Sequence, residues 1–126
     1  MRRSVFFAFV TSLVTGGVAG CYGPPAPDDA LCQDIITRLC LGPVCTSTKA
    51  ELNVTDDNCE TELLQRTGCG KDGFGFTSPD RSRVLQCRKP LVRVSASTYV
   101  KAPCPDVDEM FATCPDMTAF LNGSPP

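Results

Sequence analysis

The sequence has no histidine and no tryptophan in its 126 residues. Without histidine, no side chain has an ordinary pKa that would make it a general base near neutral pH. C-x2-C pairs are also missing: the closest cysteines, Cys40 and Cys45, have four residues between them, so the paired short spacings of structural zinc do not occur. No apolar run approaches the ~20 residues that a transmembrane helix needs. The glycine-rich "GCGKDGFGF" at 68–76 is not a phosphate loop, because Lys71 is followed by Asp72 where that loop has Ser or Thr. "DDNCE" at 56–60 has oxygen ligands at calcium-like spacing, but it lacks the loop glycine and Thr67 stands where a bidentate Glu is required. Acid pairs such as Asp106 with Asp108 or Glu109 fall in the first turn of an expected helix, where acids complement the dipole. No catalytic residue, metal or cofactor is therefore expected.

Cysteine is what the chain does have, nine in all, and the first stands apart from the rest. Met1-Arg2-Arg3-Ser4 leads into an apolar stretch from Val5 to Val14, broken only by Thr11 and Ser12, and then into Gly16, Gly17 and Gly20. A basic start, a short apolar middle and a small-residue end form a secretory signal. Val18-Ala19-Gly20-Cys21 closes it.

These four residues resemble the lipobox of bacterial lipoproteins. The resemblance covers residues 1–21 and implies cleavage before Cys21, diacylglycerol on its sulfur, and a membrane as the partner of that lipid. Inner-membrane lipoproteins commonly have Asp at the following position, so Tyr22 points to the outer membrane or cell surface. Parity agrees, since an exported chain with an odd cysteine count must leave one thiol out of its internal pairing. Eight remain: Cys32, Cys40, Cys45, Cys59, Cys69, Cys87, Cys104 and Cys114. The expected organisation is a signal peptide at 1–20, a lipidated cysteine and proline-rich tether at 21–28, a disulfide-rich helical domain at 29–122, and a loose tail at 123–126.

Only four Phe and two Tyr lie beyond the signal, so the core is modest and covalent staples supply part of its stability. Mainly α architecture follows from periodicity, with about four short helices. Leu31, Cys32, Ile35, Ile36, Leu39 and Cys40 share one face of a helix over 29–41, capped by Asp28 or Asp29 and stopped by Gly42-Pro43. "TSTKAELN" at 46–53 offers a short turn of helix. A second main helix spans 58–67, with Asp57 and Glu60 as a capping box and Gly68 at its end. Ser78-Pro79-Asp80 reads as cap, first-turn proline and first-turn acid of a third, running to about Lys89 and ended by Pro90. Cys104-Pro105-Asp106 opens a fourth, and 116–123 adds a last turn. Residues 91–100 alternate and are β-branched, which predicts a strand or extended segment, and a strand there would have "FGFT" at 74–77 as its candidate partner.

A helix rises ~1.5 Å per residue, so cysteines at opposite ends of one helix are beyond the ~7 Å Cα limit of a disulfide. This rules out Cys59 with Cys69, Cys104 with Cys114 and Cys32 with Cys40. Antiparallel packing of the first two main helices favours Cys32 with Cys69, and either Cys40 or Cys45 with Cys59. The two C-x9-C spacings, 59–69 and 104–114, also resemble the twin motif of helical-hairpin proteins of the mitochondrial intermembrane space. The 34-residue interval between them, four further cysteines and the export signal depart from that pattern.

Charge is segregated along the chain. Residues 22–70 hold three basic and eight acidic side chains, 71–101 seven and two, and 102–126 none and four. Arg81, Arg83, Arg88, Lys89 and Arg93, with Lys71 and Lys101, form the candidate interaction surface. Its target would be an anionic envelope component or a protein, and a solvated face balanced by the acidic flanks is the plainer interpretation. Nucleic acid is not expected for an exported, net-acidic chain. The functional expectation is a lipid-anchored cell-envelope protein with a non-catalytic binding or structural role. A soluble secreted ligand or inhibitor is the alternative, followed by a small enzyme or a twin C-x9-C protein.

Overall fold

Five apolar side chains on one face of α1, Asp28–Cys40, set the centre of the domain: Leu31, Cys32, Ile35, Ile36 and Leu39 are all buried. The computed structural model describes residues 25–97 and 100–124. The signal segment, Cys21, the start of the tether, Thr98-Tyr99 within the expected strand, and the end of the tail lie outside the described residues. The domain is mainly helical and disulfide-rich, as periodicity and cysteine content predict.

The other helices are α2 (Thr46–Leu52), α3 (Cys59–Thr67), α4 (Arg81–Arg88), α5 (Cys104–Thr113) and α6 (Pro115–Leu121). A 3-10 turn, Lys89–Val92, extends α4. α1 packs on α3, α2 on α5 and α6, and α5 on α6 and the 3-10 turn. Their buried faces meet in one core that includes Leu52, Leu63, Val84, Leu91, Val107, Met110, Met117 and Leu121. Two glycines end helices in left-handed backbone, Gly68 after α3 (φ 76°) and Gly123 after α6 (φ 73°). At Gly123 the left-handed backbone favours glycine, and a Cβ there would be a tight 3.2 Å from the Arg66 backbone oxygen.

Several local expectations are corrected. No side chain caps α1. Asp28 lies in its first turn, and its carboxylate instead accepts from the Phe76 N–H at 3.0 Å and from Arg81. The Asp57/Glu60 box is not made, because Asn58 occupies the cap position of α3 and its side chain accepts from the Thr55 N–H. α4 is capped by Asp80 rather than Ser78, with Oδ1 accepting from the Arg83 N–H at 2.9 Å. Pro90 does not stop the chain there: it opens the 3-10 turn, where its missing N–H costs nothing, and it is buried.

The strand pair is absent among the described residues. Segment 91–97 has the alternation of a strand but no neighbouring strand. Its carbonyls go instead to the guanidinium of Arg38, while the 74–77 backbone turns toward Asp28. A buried side chain thus satisfies the backbone groups that a ladder would have paired.

Candidate functional site

The eight domain cysteines form four bonds: Cys32–Cys69, Cys40–Cys59, Cys45–Cys104 and Cys87–Cys114, with Cα atoms 5.5 to 6.0 Å apart. The first two clamp α1 to α3 at both ends, and because the early cysteine of α1 meets the residue just after α3, the helices run antiparallel. The last two hold α5 at its two ends, to the start of α2 and to α4. None of the three pairs excluded by helix length forms, and the two C-x9-C pairs do not bond to each other. Asp116 lies with the Cys87 and Cys114 sulfurs. That trio is not a metal donor set as it stands, since the sulfurs are bonded to each other and Arg83 holds the carboxylate.

The basic centre is brought onto the acidic flanks. Arg81 pairs with Asp28 and Arg88 with Asp34, both on α1. Arg83 pairs with Asp116 of α6, and Arg93 with Asp106 and Glu109 of α5. Lys101 donates to the Pro43 carbonyl. Lys71 and Lys89 make no ion pair among the described residues.

These contacts shift the acids. The Phe76 N–H and then the Arg81 guanidinium hold Asp28 below the usual carboxylate range. Arg83 does the same to Asp116, and Arg93 to Glu109. The Val44 N–H and then Lys49 lower Asp56. Glu109 is thereby kept ionised rather than made a proton donor at neutral pH. Four of the five residues expected to form a surface are thus tied to other helices, and only Lys89 is without an ionic partner among the described residues.

Arg38 was not singled out by sequence, yet it is the most committed charge in the domain. Its side chain is fully buried; it pairs with Asp34 at 2.9 Å and donates to the carbonyls of Leu91, Ser95, Ala96 and Ser97. The Asp34 carboxylate also receives Arg88 at 2.8 Å. One arginine among the apolar residues of α1 gives no sequence signal of this role, since its acceptors are backbone carbonyls more than fifty residues away.

Open clefts lie among the described residues. One, about 480 Å3, lies between α2 and α5 beside the Cys45–Cys104 bond, with Glu51, Asp108, Ser47 and Phe111 in its wall. Its lining mixes oxygen-bearing side chains with apolar ones. Another, about 410 Å3, lies between the 73–78 loop and the end of α6, lined by Phe74, Phe120, Gly73, Gly123 and Arg66 among others. Phe74, Phe76 and Phe120 pack there as a trio, with ring centroids 5.2, 5.5 and 6.3 Å apart. From sequence, Phe74 and Phe76 suggested only a strand. Comparison with protein-family models, curated proteins and solved structures finds no match to this chain.

Proposed function

We propose that this chain is an exported protein held to a membrane of the cell envelope by lipid on Cys21, carrying a disulfide-locked helical domain with a non-catalytic binding or structural role. The observation that carries this reading is cysteine parity. Eight cysteines pair completely within the domain, and the ninth stands directly behind Val18-Ala19-Gly20. A thioether at Cys21 removes the one thiol that would otherwise be left over in an oxidising compartment. Residues 1–20 are the export signal, and Tyr22 favours the outer membrane or surface over the inner membrane.

One acyl chain holds a protein to a bilayer only marginally, whereas two or more, at ~0.8 kcal/mol per buried CH2, hold it stably. Cys21→Ser should leave the protein unprocessed or release it from membranes. Mass spectrometry of the wild-type amino terminus should find a lipid-modified Cys21, and an unmodified mature terminus would overturn the anchor.

Internal ion pairing narrows what the domain can offer to an anionic partner. Arg81, Arg83, Arg88 and Arg93 already neutralise acids of the flanking helices. Binding of an anionic envelope component would therefore rest on Lys71 and Lys89, with the half-exposed Arg93. The arginines serve first to tie α4 and the following segment to α1, α5 and α6.

A further inference from the structure

We infer that the end of the domain bearing Phe74, Phe76 and Phe120 seats on the membrane that holds the Cys21 lipid, with the phospholipid interface as its partner. This rests on the anchor reading above. Six residues, Tyr22 to Pro27, separate Cys21 from α1. Such a tether spans ~20 Å in polyproline conformation and ~25 Å at full extension, and the headgroup layer on each side of a bilayer takes up ~5–8 Å of that. The surface next to the tether exit is therefore kept within ~20 Å of the headgroups, nearer than the far end of α1 need be.

The aromatic trio lies at that exit. Asp28, the first residue of α1, accepts the Phe76 N–H at 3.0 Å and pairs with Arg81, and a Cβ built on Gly75 would lie 3.7 Å from its carboxylate. Phe74, Phe76 and Phe120 are each half-buried, packed against the core on one side. Pro25, Ala26 and Pro27 beside them are exposed. The part of each Phe ring that the core leaves uncovered is apolar area that a bilayer interface can bury.

Charge favours no anionic lipid at this end. Asp28, Asp29, Asp72 and Asp80 oppose Arg66, Lys71 and Arg81, so attachment comes from ring burial and is insensitive to salt. A membrane face built on the basic stretch would behave in the opposite way.

The absence of tryptophan makes the test direct. Phe76→Trp and Leu41→Trp each create a single reporter. Leu41 is 40% exposed and sits just beyond the other end of the thirteen-residue α1, ~20 Å along the helix axis from Asp28. Both lipidated full-length variants are reconstituted in vesicles of phosphatidylcholine alone and of phosphatidylcholine with phosphatidylglycerol, whose chains carry bromine, a contact quencher.

The Phe76→Trp emission should fall at least twofold relative to unbrominated vesicles, with Leu41→Trp unchanged and the result the same in 1 M salt. In wild type, amides 73–78 should exchange more slowly with deuterium on vesicles than in detergent, which keeps the test independent of how either variant folds. Equal quenching at both positions, or none, on a protein shown by mass spectrometry to be lipidated overturns the seat alone. Quenching that requires phosphatidylglycerol and vanishes in 1 M salt assigns the membrane face to the basic stretch instead. Emission that ignores lipid but shifts with protein concentration makes the cleft a contact between copies. An unmodified Cys21 removes the anchor and the seat together.

Discussion

Arg83 of α4 holds Asp116 of α6 through two hydrogen bonds, Nε to Oδ2 at 2.9 Å and Nη2 to Oδ1 at 3.1 Å, while Nη2 also reaches the Thr113 carbonyl. A residue that composition marks as part of an outward basic surface is thus a strut between helices, beside the Cys87–Cys114 bond. Both side chains are more than a third exposed, so solvent screening limits what the pair contributes. A double-mutant cycle with Arg83→Ala and Asp116→Ala, read by urea unfolding, should give a small favourable coupling that shrinks at high salt. A coupling indistinguishable from zero would return Arg83 to the solvated face.

Charge reversal should separate struts from free cations. Arg88→Glu would set a carboxylate against Asp34, whose side chain is only 12% exposed, and should cost about 2–3 kcal/mol as a charge-assisted bond is lost. Lys71→Glu with Lys89→Glu should leave the urea midpoint unchanged. If the domain, residues 22–126, binds an anionic polymer or anionic vesicles in a salt-dependent way, the lysine pair should abolish that binding. Retained binding in this double variant would move the site elsewhere.

Arg38 is the substitution with the largest expected cost. Arg38→Met keeps an unbranched apolar stem without the guanidinium and strips four backbone carbonyls and Asp34 of their donor. Loss of one partner from a buried charged network costs about 3–5 kcal/mol. Arg38→Lys should not rescue it, because three donors on one nitrogen cannot span acceptors arranged for a planar fork. Amide exchange should show residues 93–97 opening first. A variant as stable as wild type would mean that the segment is held by other contacts.

Acid should weaken the domain even with its disulfides intact. Folding lowers the carboxyl pKa of Asp28, Asp56, Glu109 and Asp116, so in the relevant range the unfolded chain binds more protons than the folded one. Their stabilising contribution is complete above the ordinary carboxyl values of about 4 and is lost as pH falls through the lower folded values. The urea midpoint should be level from pH 7 to about 5 and should drop below about 4. Asp28→Asn with Glu109→Gln and Asp116→Asn should flatten that drop. A midpoint that holds or rises down to pH 2 would contradict the ion pairs.

Local pattern was sufficient for much of the secondary structure. The apolar face of α1, the glycines after α3 and α6, and the Cys-Pro-Asp opening of α5 each depend on residues within one or two turns, so the sequence displays them directly. Helix length also excluded three disulfides, and antiparallel packing favoured Cys32–Cys69 while leaving Cys59 to Cys40 or Cys45, a choice the fold makes for Cys40. Capping was less legible. Asp28, Asp57 and Ser78 have the right residue types, but Asp28 is drawn to Phe76 and Arg81, and Asn58 and Asp80 occupy the cap positions instead.

The sequence by itself determined a mainly helical, disulfide-rich domain, an opening that resembles a lipoprotein signal, and a basic centre between acidic flanks. Only the tertiary structure decided what those charges do, which cysteines join α5 to α2 and α4, and that Phe74, Phe76 and Phe120 meet near the start of α1. The reason is range. Helix periodicity is set by neighbours a few residues apart, whereas Arg83 and Asp116 are 33 residues apart, and Arg38 and the carbonyl of Ser97 are 59. Charge order along a chain does not reveal whether an arginine faces water or the acid that folding brings beside it.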